Sequence, residues 1–462
     1  MDFYNGSGNK ISISEGSGAV ESTHTLVKTV EVEGGTTQTI VVEGHIAGSL
    51  MFRGGGSYTP YTVLDAEGNK LVESKAWGEA YVYPSFEGNA YSITLSPTNL
   101  ATVVWKVYGT TTDEPLDDYR YGRVLVWHDE FHEGKLNKDT WYEEKAYNRR
   151  GSERGDGTNA FVQNDELHLR IMREHQYLEN YKDREWSGTV LHSHFHYKYG
   201  LAEARIKFAD CGAWMSFWTV GANMDEYPEG TFIKGVPWTT CGEMDFVECN
   251  GGLGIYGNIH YDAGLNNEDD SINVYSNNGF DAMSDYHIYS CEWTDTTINM
   301  YVDYHRVGSV NVADLKTSDT YNAFQLAHRI LFSCQPVIPG NYNNRVPADG
   351  CNKLEGVIDW VRVYAPIGWE NIEPTGLLID GNDGSEIVEL KVGDIHDCSV
   401  TITPEQVVNQ STTWSTSIPE VVAISKTGGR MKALKEGYST ITAKMWNGVQ
   451  TSIVVHVIPS TT

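Results

Sequence analysis

The chain is poor in several things at once, and each shortage narrows what it can be. No run of about 18 or more apolar residues occurs in it, so no stretch reads as a membrane-spanning helix. Basic residues are scarce: 34 Lys and Arg stand against 62 Asp and Glu, a formal net charge of -28. A surface of that sign repels the phosphates of nucleic acid, and neutral or weakly charged partners suit it better. The opening residues, Met1-Asp2-Phe3-Tyr4-Asn5-Gly6-Ser7-Gly8, carry no basic region and no apolar stretch. No signal peptide is visible there, although a processed exported protein and a cytosolic one would both begin in this way. Cysteine is sparse: Cys211, Cys241, Cys249, Cys291, Cys334, Cys351 and Cys398 show no CxxC or zinc-type spacing. An odd count leaves at least one thiol unpaired in a monomer. Cys241 and Cys249, read as lying on one strand, are too far apart to bond to each other, so buried free thiols are expected, with a disulfide elsewhere left open.

What the chain has in quantity is length and flat side chains. At 462 residues two to four domains are expected. Its 13 Trp and 27 Tyr can stack on sugar rings as well as fill cores. Many short strands broken by Gly, Asn and Asp, without long helical periodicity, point to an all-β fold built of antiparallel sandwiches.

The chain is organised around Gly242-Glu243-Met244-Asp245-Phe246-Val247-Glu248. On a strand, alternate side chains share a face, so Glu243 and Asp245 point together while Glu248 would point away. One extra residue repairs this, and a β-bulge at Phe246-Val247 would return Glu248 to the acidic face. Among 62 acids, three at fixed spacing turn up about once by chance, so spacing alone proves little. The flanks decide. The other face of the run is apolar, and burying three repelling carboxylates with no Lys or Arg nearby in sequence is expensive unless they have work to do. Double-displacement glycoside hydrolysis needs two carboxyl groups about 5 Å apart, one ionised to attack and one protonated to release the leaving oxygen. An acid between them can keep their proton affinities apart.

The run resembles the signature of glycoside hydrolase family 16 in its bulged form, the form of laminarinases, agarases and carrageenases. Five other stretches agree in order: Val126-Trp127-His128-Asp129-Glu130-Phe131, the Tyr199 to Lys207 segment, Trp214-Met215-Ser216-Phe217-Trp218, the segment from Tyr286-His287 to Trp293, and Ile358-Asp359-Trp360-Val361-Arg362-Val363-Tyr364. The resemblance implies a β-jelly-roll sandwich with an open cleft, suited to cutting inside a polymer. It implies Glu243 as nucleophile, Asp245 as its supporting acid and Glu248 as general acid/base. Trp214, Trp218 and Trp238 match aromatic positions that bind substrate in the family, although any one of them could be core. His260 falls where members often carry a His on the next strand, although a lone His is by default structural.

Outside residues 119–366 the pattern changes twice. Residues 1–110 read as a β-sandwich, with strands at Thr25 to Val32, Gln38 to Val42, Ala80 to Tyr83 and Ala101 to Tyr108. It is either a spacer or a carbohydrate-binding module with Trp77, Tyr81 and Tyr83 as stacking candidates. Residues 111–118, polar and acidic with Pro115, suit a linker. Residues 373–460 are similar to the bacterial immunoglobulin-like group 2 domain, which occurs mostly on exported surface proteins, as a spacer. The expected architecture is a jelly-roll catalytic domain flanked by two smaller β-sandwich domains. The Asn148 to Gly157 loop carries Arg149, Arg150 and Arg154, which either meet acidic sugars or, the first expectation, balance a very acidic surface as solvated charge. The segment from Gly221 to Val236, carrying Met224-Asp225-Glu226-Tyr227-Pro228, is a long loop placed to shape one end of the cleft.

These readings converge on a secreted or bacterial cell-surface retaining endo-glycosidase, acting as a monomer on a polysaccharide. Gly212 to Gly221 and the spacing from Trp238 to Glu243 resemble β-1,3- and β-1,3-1,4-glucanases, so such a glucan is the expected substrate. Leu331-Phe332-Ser333-Cys334-Gln335-Pro336 departs from the stretch that glucan-cleaving members commonly carry, and leaves room for a β-galactan substrate of agar, porphyran, carrageenan or mucin type. A non-catalytic carbohydrate-binding protein is the rival from another class; its hallmark would be loss of Glu243 or Glu248. The chemistry needs no cofactor. Structural calcium is common in such sandwiches, but no EF-hand-like run of ligands is visible and no metal site is assigned.

Overall fold

The protein is seen in a computed structural model that describes residues 3–4, 10–11, 25–32, 35–46, 50–54, 59–76, 81–82, 89–96, 103–109, 123–144, 152–153, 156–173, 186–210, 212–224, 235–250, 254–264, 268–278, 280–316, 318, 321–337, 347–348 and 350–460. Among them there is no α-helix, and two short 3-10 turns, Val312–Leu315 and Ala323–Gln325, interrupt an all-β chain.

The largest unit is a two-layer jelly roll. One layer runs in the order Asp270–Asn278, Gly254–Tyr261, Glu243–Asn250, Ala213–Gly221, His328–Pro336 and Trp186–Tyr197. The other runs Glu166–Arg173, Lys353–Pro366, Gly200–Lys207, His287–Trp293, Thr297–Val302 and His305–Asn311. Period-two alternation sends one set of side chains from each layer into a shared core. Met244, Phe246, Val247, Phe217 and Phe332 from the first layer meet Ala202, Ala204, Cys291, Val361 and Val363 from the second. Phe217 packs edge-on to Phe246 with centroids 4.9 Å apart, and stacks on Phe332 at 4.9 Å.

The expected bulge is present. Asp245 pairs with Asn258 and Glu248 with Tyr256, so Phe246 and Val247 together oppose the single residue Gly257. Both bulge side chains are fully buried. The Phe246 carbonyl accepts a hydrogen bond from the Tyr275 hydroxyl at 2.9 Å, which gives a buried acceptor at the bulge a partner. Tyr275 reaches it by lying flat over Gly257: a Cβ at residue 257 would stand 2.4 Å from Tyr275 Cε1 and 2.7 Å from Met300 Sδ.

In the N-terminal unit Thr25–Val32, Val103–Gly109, Leu50–Gly54 and Tyr81–Val82 form one sheet, and Gln38–Ile46, Asn89–Leu95, Thr59–Leu64 and Lys70–Ala76 another. Trp77, Tyr83, the side chain of Tyr81, residues 111–118 and Arg149, Arg150 and Arg154 lie outside the described residues. The C-terminal sandwich has its own core, including Ile379, Trp414, Val422, Met431, Ile441 and Val455. Cys241, Cys249, Cys291 and Cys334 are free and buried, while Cys351 and Cys398 are free and partly exposed. Cys211 lies outside the described residues. Cys241 sits in the turn before the Glu243–Asn250 strand, not on the strand as the sequence reading had it.

Because the cradle over Gly257 has no room for a methyl group, Gly257→Ala is expected to cost about 1–3 kcal/mol by overpacking. Urea unfolding followed by Trp fluorescence checks this as a lowered midpoint.

Candidate active site

The face of the first layer that points away from the core carries the acids. Glu243 lies opposite Val220 on one side and His260 on the other; Asp245 lies between Trp218 and Asn258; Glu248 lies between Ser216 and Tyr256. The bulge brings all three to one side, with Glu243 and Glu248 each 9% exposed and Asp245 3%.

Each acid has a different set of partners. Glu248 is held on both oxygens: Trp214 Nε1 donates to Oε1 at 2.7 Å and Ser216 Oγ to the same atom at 3.2 Å, while Asn258 Nδ2 donates to Oε2 at 3.0 Å. Asn258 is oriented in turn by Asn273, whose Nδ2 donates to Asn258 Oδ1 at 2.9 Å. Glu243 accepts from the Trp238 indole at Oε2, 2.9 Å away. His260 bridges the other two: its Nε2 lies 3.3 Å from Asp245 Oδ2 and 4.0 Å from Glu243 Oε1, and its Nδ1 lies 2.9 Å from Asp269.

Burial pushes the Glu243 carboxyl well above the ordinary carboxylate range, and the charge of Asp245 pushes it further. His260 pulls against this, Glu248 adds to it, and the Trp238 hydrogen bond works against it. Burial alone would depress His260, but the hydrogen bond to Asp245 and the charges of Asp245 and Glu243, with the Asp269 hydrogen bond, outweigh burial and raise it to about 10. His260 is therefore held toward its imidazolium form, a cation set among these acids. It was singled out from its place after the acid run, and the structure puts it opposite Glu243.

The three tryptophans have separate fates. Trp238 is 39% exposed, with its ring tilted over His260 at a centroid distance of 5.7 Å, so it presents a face to the opening while its N–H serves Glu243. Trp214 is only 5% exposed and its polar edge is spent on Glu248. It lies beside that acid as a support, and its ring offers little open face for stacking. Trp218 is half-buried and packs on a small apolar cluster of Val190, Val220, Val236, Cys241 and Leu331. Ser216, Asn258, Asp269 and Asn273 were missed. Ser216 and Asn258 had a signal: they share a strand face with Trp214 and His260, two residues away in each case.

Two groups of metal-capable side chains occur among the described residues, Glu243 with Asp245 and His260, and Asp380 with His396 and Cys398; within each, the donor atoms lie within 4.8 Å of one another. Neither is the all-oxygen set that calcium prefers. In the first, His260 already spends its two nitrogens on Asp245 and Asp269.

Residues 124–366 match the family model "Beta-porphyranase A-D, GH16 domain", more than half of the chain. The chain belongs to glycoside hydrolase family 16. Residues 384–455 match "Bacterial Ig-like domain (group 2)", in the region where the sequence resembled that module. Among curated proteins the chain is similar to the clotting factor G alpha subunit of Tachypleus tridentatus, 27% identical over 257 residues, covering 52% of this chain and 34% of that protein. It is also similar to glucan endo-1,3-beta-glucosidase A1 of Niallia circulans, 24% identical over 282 residues, covering 55% of this chain and 39% of that protein. It therefore spans little more than a third of the length of these two relatives. Among solved structures, LamAcat from Zobellia galactanivorans is 24% identical, with a TM-score of 0.46 over 52% of this chain and 98% of that one.

A family 16 site with this histidine makes a signed prediction for stability. The folded value of His260, about 10, lies above its ordinary 6.5, so its contribution is fully present below about pH 6.5 and is lost as pH rises through about 10. Wild type should lose unfolding free energy across that window relative to His260→Gln. Equal pH slopes for the two proteins would contradict the assignment.

Proposed function

We propose that the chain is a retaining endo-glycosidase cleaving internal β-linkages of a polysaccharide, with Glu243 as nucleophile, Asp245 as its supporting acid and Glu248 as general acid/base. The observation that carries this reading is the bulged strand, which presents three acids on one face and surrounds each with different partners. Glu243 attacks the anomeric carbon while Glu248 gives its proton to the departing oxygen; Glu248 then takes a proton from water, which cleaves the glycosyl ester. Trp238 holds Oε2 of Glu243, which leaves Oε1, on the His260 side, to attack. Trp214 and Ser216 both donate to Oε1 of Glu248, while Oε2 meets only Asn258 among the contacts described above and is the oxygen that carries the transferred proton. The reaction needs no cofactor. In this reading the protein works as a monomer outside the cell or on its surface, supported by the immunoglobulin-like module.

For substrate, a β-galactan of the porphyran class comes first, because the family model spanning the whole jelly roll is that of β-porphyranases. The departure at Leu331 to Pro336 supports the same choice, since this strand pairs with the Ala213–Gly221 strand and sets Leu331, Ser333 and Gln335 on the acidic side. A β-1,3- or β-1,3-1,4-glucan is the second reading, favoured by the likeness to the Niallia circulans glucosidase.

Porphyran, agarose, carrageenan, laminarin, barley β-glucan and mucin glycans should be tested side by side for oligosaccharide release. Products of retained β-configuration by proton NMR are expected from one class. Glu243→Gln should lower kcat on the order of 10⁴-fold or more while binding persists; near-normal turnover would remove Glu243 from the nucleophile role. Binding by wild type without any product would turn the reading to a carbohydrate-binding protein.

The pH profile carries a further expectation. Attack needs Glu243 ionised, and its carboxyl is raised in the free protein, so the acidic limb of kcat/KM should lie above the ordinary Glu range of about 4.3. His260→Gln removes the cation that opposes this rise, and should move the limb to higher pH. A limb unmoved or lowered in that variant would sever His260 from the nucleophile.

A further inference from the structure

The immunoglobulin-like module touches the jelly roll at two separate places. At the first, Val408 joins the jelly-roll core at 5% exposure, and Asn409 forms a bridge with Tyr197. The Gln410 amide donates to the His196 carbonyl at 2.8 Å, the His196 amide to Ser411 Oγ at 2.9 Å, and Ser411 Oγ to the His194 carbonyl at 3.1 Å. This continues hydrogen bonding from the end of the Trp186–Tyr197 strand into the second domain. A spacer carried on a free linker makes no such contacts.

The second contact falls on the segment that leads into the acid-bearing strand. Arg430, on the Arg430–Ala433 strand, donates from Nη1 to the Gly235 carbonyl at 3.0 Å and is steadied by Asp397, whose Oδ1 lies 3.3 Å from Nε. Gly428 lies against the Asn223 carbonyl so closely that a Cβ there would be 2.7 Å from its oxygen. That same carbonyl accepts from the Val236 amide at 2.8 Å. The module thus holds the segment where it leaves Gly235, three residues before Trp238. From there the chain turns once, with Cys241 N donating to Pro237 O and Gly242 N to Thr239 O, and enters the strand at Glu243. Thr239 and Thr240 fasten the far side of the turn, to the Glu268 carbonyl and to Asp262. Trp238 is left with its indole on Glu243.

We infer that the immunoglobulin-like module is a positioning element of the active site: Arg430 and Gly428 fix the 235–242 turn, and through it set the Trp238 indole on Glu243. The catalytic consequence rests on the reading of Glu243 as nucleophile; the mechanical coupling does not. Arg430 is a positioning residue, acting through the Trp238 indole donor to Glu243. A displacement well under 1 Å matters there, because misplacing a catalytic group by about 1 Å costs on the order of 10²-fold.

The test uses the full chain in wild type, Arg430→Ala, Arg430→Lys, Gly428→Ala, Trp238→Phe and the Arg430→Ala/Trp238→Phe double variant. Hydrogen exchange of peptides spanning 236–243 should quicken in Arg430→Ala and Gly428→Ala, while Gln450–Ile458 keeps its protection and so reports an intact module. On the polymer that wild type cleaves, Arg430→Ala should lose about tenfold in kcat/KM and shift the acidic limb to higher pH, because the indole donor that favours ionised Glu243 is loosened. Arg430→Lys should recover most of this. Trp238→Phe lacks the donor, so adding Arg430→Ala to it should change kcat/KM by less than about twofold. Unchanged exchange over 236–243 in both module variants would overturn the coupling, and so would a full loss from Arg430→Ala in the Trp238→Phe background. Exchange needs no substrate, so it decides the coupling even if no glycan is cleaved.

Discussion

The structure depends on one extra residue in one strand. Without the bulge at Phe246-Val247, Glu248 would point into the core with Met244, and no arrangement of neighbours could pair it with Glu243. The bulge has a local cost in unpaired backbone, and the surroundings are fitted to it. Tyr275 supplies the hydroxyl for the Phe246 carbonyl, Gly257 gives Tyr275 the room to lie there, and Phe246 itself is gripped by Phe217. The chemistry on one face of the strand and the packing on the other are thus the same constraint seen from two sides.

A second constraint follows from crowding. Three carboxyl groups with at most 9% exposure cannot all be charged without compensation, since burial and mutual repulsion both favour the neutral form. The site answers with unequal neighbours. Glu248 receives three donors, Glu243 one indole, and Asp245 the histidine that Asp269 holds from behind. Unequal environments are how identical side chains acquire different proton affinities and hence different roles. The imidazolium matters most here because no Lys or Arg lies near the run in sequence; its positive charge arrives across the ladder, from the next strand.

Much of this was legible before any coordinates. Period-two alternation and a single postulated bulge located all three acids, because strand geometry is local and a residue slip flips whole faces. The two-layer all-β class followed from strand and turn chemistry. What escaped was non-local: Asp269 and Tyr275 reach the site only through the pairing of two further strands, and sequence spacing does not encode that register. Trp214 stayed open between substrate contact and core in the sequence, because an aromatic's place in the chain does not say whether its ring lies open or beside a carboxylate. Burial decides that, and Trp214 is 5% exposed with its indole on Glu248.

The immunoglobulin-like module was the least legible part, for a physical reason. Its own sequence specifies a self-sufficient core around Trp414 and Ile441, and nothing in that pattern distinguishes a free bead from a docked one. The residues that dock it are individually ordinary: a valine, a serine, a glycine and an arginine. Only their partners give them meaning, since Val408 enters a foreign core and Arg430 caps a carbonyl of another domain. Domain interfaces within a chain are commonly polar and small, and relative motion is the default unless contacts oppose it. Here two separated contacts oppose it, one apolar and continuous with a strand, the other a charged clamp. Two points of attachment resist the hinge that one would leave free, and the second falls on the turn that sets Trp238 against Glu243.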